Sequence, residues 1–311
     1  MDKRRGWPVP DAVISKPLSF DLEEFLQDEN SFRPNLSAIS ENDVKHGEVN
    51  VTLRDGAVCM LRFLRVWLDL PHSVFFYSVS YLDMFLVKMR VQDKFLRCLT
   101  LSCLHIAIEH ESHNVDVARL VKVSQSKCTS CDVLRMADIV KKKIPIKGDK
   151  NPITPVDFLD VYIKFFINVT NHWEHIVRKG LNQIKERMYI LLEVLLADSN
   201  TAYFRSSAIA LIVFQNEAEK IMSQGLPNKS VYYLGEVLQF LSVIREIQLK
   251  CKLKNSELKS CYLQVSKVLK RYDGERKNNF RRRHNWNFSM PSVQMSAKRF
   301  SYYPLFETIT E

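Results

Sequence analysis

Two cysteines and a group of histidines are the residues in this sequence whose spacing could do chemistry. Cys128 and Cys131 have the Cys-x-x-Cys spacing that supplies half of a zinc site. A second Cys or His pair is not nearby in the sequence, and a redox role for such a pair needs a βαβ context. The cysteine pair therefore predicts neither a structural zinc ion nor a disulfide-exchange centre.

The histidines stand among glutamates in one short segment: His105, Glu109, His110, Glu111 and His113. On one helix end, histidines spaced i, i+5 and i+8 do not converge on a single ion, so the segment indicates exposed polar residues. Other catalytic signatures are missing, including a Gly-rich phosphate loop, a Gly-x-Ser-x-Gly elbow and a His-Glu-x-x-His zinc helix. The sequence predicts a protein that is not an enzyme and has no cofactor.

Composition narrows the fold that must position these residues. The chain has 311 residues, of which 46% are hydrophobic and only eight are glycine. So few glycines argue against sandwiches, barrels and Gly-rich nucleotide folds, and favour a mostly helical chain. The most apolar stretch, 66–87, contains Asp69, Pro71 and Asp83, so we expect no membrane span. Seven cysteines, an odd number, predict reduced thiols, and together with the lack of a signal peptide they predict a protein of nucleus and cytoplasm.

Apolar residues recur with helical period in ten segments, which fall into two sets of five on either side of a Pro- and Gly-containing hinge. The first set is Arg54–Leu70, Ser73–Lys88, Asp93–Glu109, Val115–Val123 and Cys131–Lys143. The second set is Val156–Val169, Leu181–Ala197, Ser206–Met222, Val231–Leu249 and Ser256–Tyr272. The pattern predicts an all-α fold of two tandem five-helix units.

The ends of the chain differ in charge from its middle. Residues 1–53 hold 6 basic and 10 acidic residues, whereas residues 250–311 hold 14 basic and 5 acidic ones. We predict a flexible N-terminal arm over 1–45 with one short helix near 21–26. Two helical domains over 46–146 and 152–272 and a flexible basic tail over 273–311 complete the expected organisation.

Three short segments of the first set resemble the cyclin box. Residues 81–86 read Tyr-Leu-Asp-Met-Phe-Leu, similar to the aliphatic-Asp-Arg-Phe-Leu motif of cyclins. Residues 104–109, Leu-His-Ile-Ala-Ile-Glu, stand where cyclins have Leu-x-x-Ala-x-Lys, and residues 133–137, Val-Leu-Arg-Met-Ala, stand where they have Val-Leu-Arg-Met-Glu. This resemblance covers 53–146 specifically and 152–272 only in architecture, and it implies the same two-unit helical fold.

Within the cyclins the sequence is most similar to the cyclin G and cyclin I group. Residues 88–94 read Lys-Met-Arg-Val-Gln-Asp-Lys, similar to Lys-Met-Lys-Val-Gln-Pro-Lys of cyclin G, and residues 101–103 read Leu-Ser-Cys in both. Cys98 stands where cyclin G also has Cys and most cyclins have Leu. The resemblance implies a regulatory protein of the cell cycle and of cell division.

The resemblance also assigns roles to particular residues. It implies an internal structural pair between Arg54 and Asp83, and it places Glu109, Ala137 and Cys98 on the surface that binds a cyclin-dependent kinase. A cyclin normally presents Lys at the end of its third helix and Glu on its fifth, so Glu109 is a charge reversal and Ala137 a truncation. Kinase binding is therefore expected to be weak or atypical.

A second cyclin surface, which docks Arg-x-Leu peptides of substrates, is also altered. Leu53 and Ala57 stand in its Met-Arg-Ala-Ile-Leu motif, and Met60 replaces its Trp. Without those large apolar anchors we expect weak docking of such peptides.

The basic tail and the net charge of +10 are compatible with several kinds of partner. In the tail, Arg276, Lys277, Arg281, Arg282 and Arg283 form a candidate nuclear import signal. The resemblance to cyclin G implies regulatory subunits of type 2A protein phosphatase as further partners. An alternative is a helical adaptor that binds nucleic acid and resembles transcription factor IIB, which also has cyclin-like repeats. A zinc ribbon does not precede the repeats here, which argues against that alternative and against nucleic acid as a partner.

Overall fold

The computed structural model describes residues 22–29, 34–39, 47–144, 152–169, 174–225 and 231–277 of the chain. These residues form helices and their connections, without a strand, and Glu48 and Gln92 pair in one isolated β-bridge. The prediction of an all-α fold is confirmed. Nowhere in the described ranges is a helix both long and apolar enough to cross a membrane.

Residues 22–29 form the first helix, α1, and a single 3₁₀ turn follows at Leu36–Ile39. Five helices make up the rest of the first half: α2 Val51–Trp67, α3 His72–Lys88, α4 Asp93–His110, α5 Val117–Ser124 and α6 Ser130–Lys143. Polar side chains fix where two of them begin. Asn50 accepts a hydrogen bond from Leu53 N at 2.9 Å and caps α2, while Thr129 and Asp132 form a reciprocal capping box on α6.

In the part of the second half that the structure describes there are six helices: α7 Pro155–Val169, α8 Glu174–Leu196, α9 Ser199–Ala202, α10 Ser206–Gly225, α11 Val231–Lys250 and α12 Asn255–Lys277. Five are long, and they lie where the second set of apolar segments predicts them. Two details differ from the prediction. The backbone of α8 starts seven residues before Leu181, and α9 is a single turn with too few residues to show a helical period.

Each half is built around one buried helix. In α4 every residue from Leu99 to Ile108 is buried, and the helix packs against α2, α3 and α6. In α10 every residue from Ser207 to Phe214 is buried, and the helix packs against α7, α8 and α12. The same arrangement therefore occurs twice in the chain, with the third long helix of each half at the centre.

Within the arm 1–45 that we predict to be flexible, the structure describes residues 22–29 and 34–39 and packs residues 22–29 against the second half of the chain. Leu22 and Glu29 are buried, and the ring of Phe25 packs edge-on against Phe158 of α7, with 5.9 Å between ring centroids. Glu29 accepts two hydrogen bonds from Arg205 and one from Ser207 N at the start of α10. Helix α1 is thus fastened to the second half of the chain by contacts that a local sequence pattern does not reveal.

Candidate functional site

The candidate site is the face formed by the end of α4 and the neighbouring helix α6, which we call the α4–α6 face. Two hydrogen bonds hold this part of the fold in place. Ser102 Oγ on α4 donates to Val133 O of α6 at 2.8 Å, and Lys88 Nζ at the end of α3 donates to Lys143 O at the end of α6. These hydrogen bonds join α6 to α4 and α3, and so fix the positions of the side chains on this face.

Glu109 lies at the exposed end of α4, and its side chain is 47% exposed. Its Oε2 accepts a hydrogen bond from Lys141 Nζ of α6 at 2.7 Å, and its Oε1 lies 3.3 Å from His105 Nε2, one turn earlier on α4. Burial lowers the pKa of His105, and the nearby Lys141 lowers it further, against the opposing effect of Glu109. His105 is then neutral at pH 7, and the charged pair on this face is Glu109 with Lys141.

Ala137 offers a partner almost no surface, because it is only 2% exposed under the packing of α6 on the core. The residue of α6 that pairs with Glu109 is Lys141, one turn beyond Ala137 and 43% exposed. The sequence pattern did not predict this role of Lys141, although its i+4 spacing from Ala137 is a signal that could have found it. The face thus presents an acid from α4 and a base from α6, the reverse of the order that the cyclin pattern implies.

Cys98 is half-buried on α4 and lies close to Cys128 in the connection before α6. Burial, together with the nearby Cys128, raises the pKa of the Cys98 thiol to about 12, so the thiol stays protonated at neutral pH. Cys128 Sγ lies 2.9 Å from Ser126 Oγ, and Cys131 is exposed. Within the described part of the chain, His, Cys, Asp and Glu do not form a group of three that could hold a metal ion.

Arg54 and Asp83 lie together in the core of the first half. Arg54 Nε donates to Asp83 Oδ1 at 2.7 Å, and Arg54 Nη2 donates to Asp83 Oδ2 at 2.5 Å. Burial alone would lower the pKa of Arg54, but the carboxylates of Asp83 and Asp55 outweigh burial and raise it. Arg54 Nη1 also donates to Leu196 O, at the end of α8, so this guanidinium contacts both halves of the chain.

Of the residues expected on the substrate-docking surface, only Leu53 is accessible. Ala57 and Met60 are buried in α2. Asp55, between Leu53 and Ala57 in the sequence, accepts hydrogen bonds from the amide and the hydroxyl of Ser199 in the second half. The start of α2 therefore holds the two halves together and leaves a docking peptide only Leu53 to bind.

A cluster of charged side chains around Glu193 also joins the halves, and no sequence pattern predicts it. Glu193 on α8 is fully buried and lies 3.2 Å from Arg62, 3.0 Å from Arg65 and 2.7 Å from His72. Burial alone would raise the pKa of Glu193, but these three groups lower it. We call these four residues the Glu193 cluster.

The candidate nuclear import signal falls mostly outside the described residues. The backbone of Arg276 and Lys277 forms the last turn of α12. Arg281, Arg282 and Arg283 lie outside the described ranges, as do the hinge residues 145–151.

Comparison with known proteins shows which proteins this chain is similar to. Residues 22–144 match the family model described as "Cyclin, N-terminal domain". Over 93% of its length the chain is 27% identical to Cyclin G of Drosophila melanogaster, and over 50% of its length it is 32% identical to Cyclin-G1 of Sus scrofa. It spans about half of each of these relatives, 51% and 54% respectively. It also spans 70% of Cyclin-G2 of Mus musculus, at 26% identity.

A solved structure shares the fold. A viral cyclin from herpesvirus saimiri aligns with a TM-score of 0.57 at 19% identity, covering 81% of this chain and 99% of that one. The described residues form two helical units around buried central helices, and this fold is similar to that of the viral cyclin. Residues 22–144 match the cyclin N-terminal domain and the relatives named above are cyclin G proteins, so the chain is similar to cyclins of that group.

Proposed function

We propose that this chain is a regulatory protein of the cell cycle that binds a cyclin-dependent protein kinase weakly or atypically through the α4–α6 face. The observation that carries the proposal is the pair of Glu109 and Lys141, which reverses the charge order that the cyclin resemblance implies for this face. The proposed role is binding and regulation, without catalysis by this chain.

The reversed order has a direct energetic consequence. A kinase that accepts Lys from the third cyclin helix and Glu from the fifth meets the opposite charges here. Truncating or reversing a buried interfacial charge costs about 2–5 kcal/mol, or roughly 30- to several-thousand-fold in affinity. In a kinase complex, activation requires the kinase's regulatory helix to be pushed inward so that its Glu pairs with the catalytic Lys. Because this chain should bind the kinase's regulatory helix weakly, we expect low kinase activation.

The charge order can be restored without losing the salt bridge. We expect the double variant Glu109→Lys, Lys141→Glu to fold normally, because both side chains are exposed and the pair is kept in opposite sense. The variant should retain a cyclin-dependent kinase at least about tenfold better than the native chain. Affinity purification from cells with quantitative mass spectrometry measures this, followed by kinase activity of the purified complex. Substituting Ala137 by Glu is a poorer test, because it would bury a carboxylate in the core.

Arg90 and Glu48 provide a control, since they form another ion pair in the first half, in which the Arg90 side chain is 66% exposed and the Glu48 side chain 19% exposed. The swap Arg90→Glu, Glu48→Arg should change kinase recovery by less than about twofold. Strong kinase retention and activation by the native chain would contradict the proposal, as would equal gains from both swaps.

Two further parts of the proposal rest on the likeness to cyclin G proteins and on the basic tail. We propose regulatory subunits of type 2A protein phosphatase as additional partners, and residence in both nucleus and cytoplasm. The same purification tests the first, because phosphatase subunits should be recovered with the native chain and with both swap variants. A fluorescent fusion in which Arg281, Arg282 and Arg283 are replaced by Ala tests the second, and should lose nuclear signal.

A further inference from the structure

One face of helix α11 is apolar and packs against the rest of the second half of the chain. Phe240, Val243 and Ile247 are buried there, where α11 packs against α7 and α10. The ring of Phe240 packs edge-on against Phe166 of α7 with 5.9 Å between centroids. This face therefore packs α11 onto the second half of the chain.

The outer face of the same helix is also apolar. Leu238, Leu241 and Leu249 are 58%, 48% and 66% exposed, and Arg245 stands among them. The spacings of 3, 4 and 4 residues place all four side chains on one side of the helix, opposite the buried face, over about 16 Å. We call these four residues the leucine stripe. A helix that is apolar on both sides is normally covered on both sides, so the stripe indicates an interaction surface.

The exposed charged side chains in and just beyond the leucine stripe are basic in the described residues, while Glu246, next to Arg245, is half-buried. Arg245 is exposed within it, and Lys252 and Lys254 are exposed just beyond its end. Among the described residues, none of these three side chains forms an ion pair. An occupant that supplies carboxylates would therefore gain charge pairs as well as apolar contact.

Charge also argues against two occupants from this protein itself. Residues 278–311 hold 5 basic and 2 acidic residues, so this segment would bring like charge to the stripe. A second copy of α11, packed antiparallel about a twofold axis, would bring Arg245 of each copy close to the other, because Arg245 lies near the middle of the stripe. Both arrangements place cations against cations.

We propose that the leucine stripe binds an acidic amphipathic helix of a partner protein. Leucine-type side chains spaced i, i+3 or i+4, and i+7 on that helix would pack between Leu238, Leu241 and Leu249, as in other helix-on-groove complexes. Aspartate or glutamate beside them would pair with Arg245 and with the lysines at the end of α11. This surface lies on the second half of the chain, and the proposal does not depend on kinase binding by the α4–α6 face.

The test uses the full chain and two synthetic helical peptides of about 14 residues, the length that spans the stripe with a turn to spare. Both peptides carry leucines at i, i+3 and i+7, one with glutamates beside them and the other with lysines. Fluorescence anisotropy should show binding of the glutamate peptide only. The variants Arg245→Glu and Leu241→Gln should each weaken that binding at least about tenfold.

Two variants serve as matched controls, Arg135→Glu on the exposed side of α6 and Leu263→Gln on α12, where Leu263 is 59% exposed. Both should leave the peptide affinity unchanged, and circular dichroism should show that all four variants fold. Equal binding of the two peptides, or no loss with Arg245→Glu, would overturn the proposal. Binding that occurs only after residues 278–311 are removed would overturn it in favour of the chain's own tail. A full-chain dimer that Leu241→Gln dissociates would overturn it in favour of a second copy.

Discussion

Arg54 joins several parts of this fold through its hydrogen bonds. Its guanidinium is fully buried, and it satisfies its donors with Asp83, Asp55 and the carbonyl oxygen of Leu196. A buried cation is tolerated only when it is paired and hydrogen-bonded, so these partners depend on Arg54 as much as Arg54 depends on them.

Replacing Arg54 by Ala should therefore destabilise the protein strongly. The substitution leaves Asp83 buried without its cation, which costs about 3–5 kcal/mol of unfolding free energy. Urea denaturation followed by circular dichroism measures this change. Arg90→Ala, at the pair with Glu48, is the control and should cost no more than about 1 kcal/mol. If both variants lost the same stability, the buried pair would have no special structural role.

The sequence predicts one of these charged pairs but not the others. The pairing of Arg54 with Asp83 followed from the cyclin resemblance, which supplies a partner 29 residues away. Glu193 has no such guide, because its partners Arg62 and His72 lie 131 and 121 residues away, and a buried glutamate looks like an exposed one in a helical pattern. The pairing of Lys141 with Glu109 was not predicted, because it joins two helices through residues 32 positions apart and one of several charged residues at the end of α6 makes it.

At the level of elements, helix α1 is the part whose role the sequence did not predict. Prolines and acidic residues near the N-terminus suggested a loose arm, yet Glu29 reaches Arg205 and the amide of Ser207 in the second half. The apolar period of the ten segments, by contrast, was enough to place the long helices, because that pattern is local to each segment. Contacts between distant elements leave no comparable local pattern.

Removing the anchor of α1 should loosen this helix from the fold. Glu29→Ala leaves Arg205 and the Ser207 amide without their acceptor, and we expect a loss of about 3 kcal/mol in unfolding free energy. Faster proteolysis within residues 22–29 should accompany this loss. Glu23→Ala is the matched control, because Glu23 is exposed on the same helix, and it should change stability by no more than about 0.5 kcal/mol. Equal effects of the two substitutions would contradict an anchoring role for Glu29.

For the whole molecule, the Glu193 cluster makes the contact between the halves depend on pH. His72 lies 2.7 Å from Glu193 and 2.8 Å from Glu186, both on α8. Burial alone would lower the pKa of His72, but its hydrogen bonds to the two glutamates outweigh burial and raise it. The hydrogen bond from His72 lowers the pKa of Glu186, and the pKa of Glu193 is also lowered.

Because the pKa of His72 is raised in the folded protein, the protonated imidazole stabilises the fold. Its contribution is fully present below the unfolded value of about 6.5 and is lost as pH rises through the higher folded value. The glutamates contribute above about pH 4.5 and lose their contribution as pH falls through their lowered folded values. The contact between α3 and α8 should thus be most stable between these limits.

We expect His72→Gln to cost more stability at about pH 6 than at about pH 8.5. Urea denaturation of native and variant chains at both pH values measures the difference. His113→Gln, at an exposed position, is the control and should show the same small effect at both. A cost of His72→Gln that is constant with pH would show that the imidazole acts through packing alone.

The anchor of α1 also sets an order of events during synthesis of the chain. Glu29 and the Ser207 amide that it binds are 178 residues apart. At about 5–20 residues per second, a ribosome takes roughly 10–35 seconds to add the residues between them. For that time Glu29 cannot bind α10, although α7, whose Phe158 contacts Phe25, is added earlier. The anchor between α1 and α10 can form only after α10 has left the ribosome, so α1 reaches its final position late in synthesis.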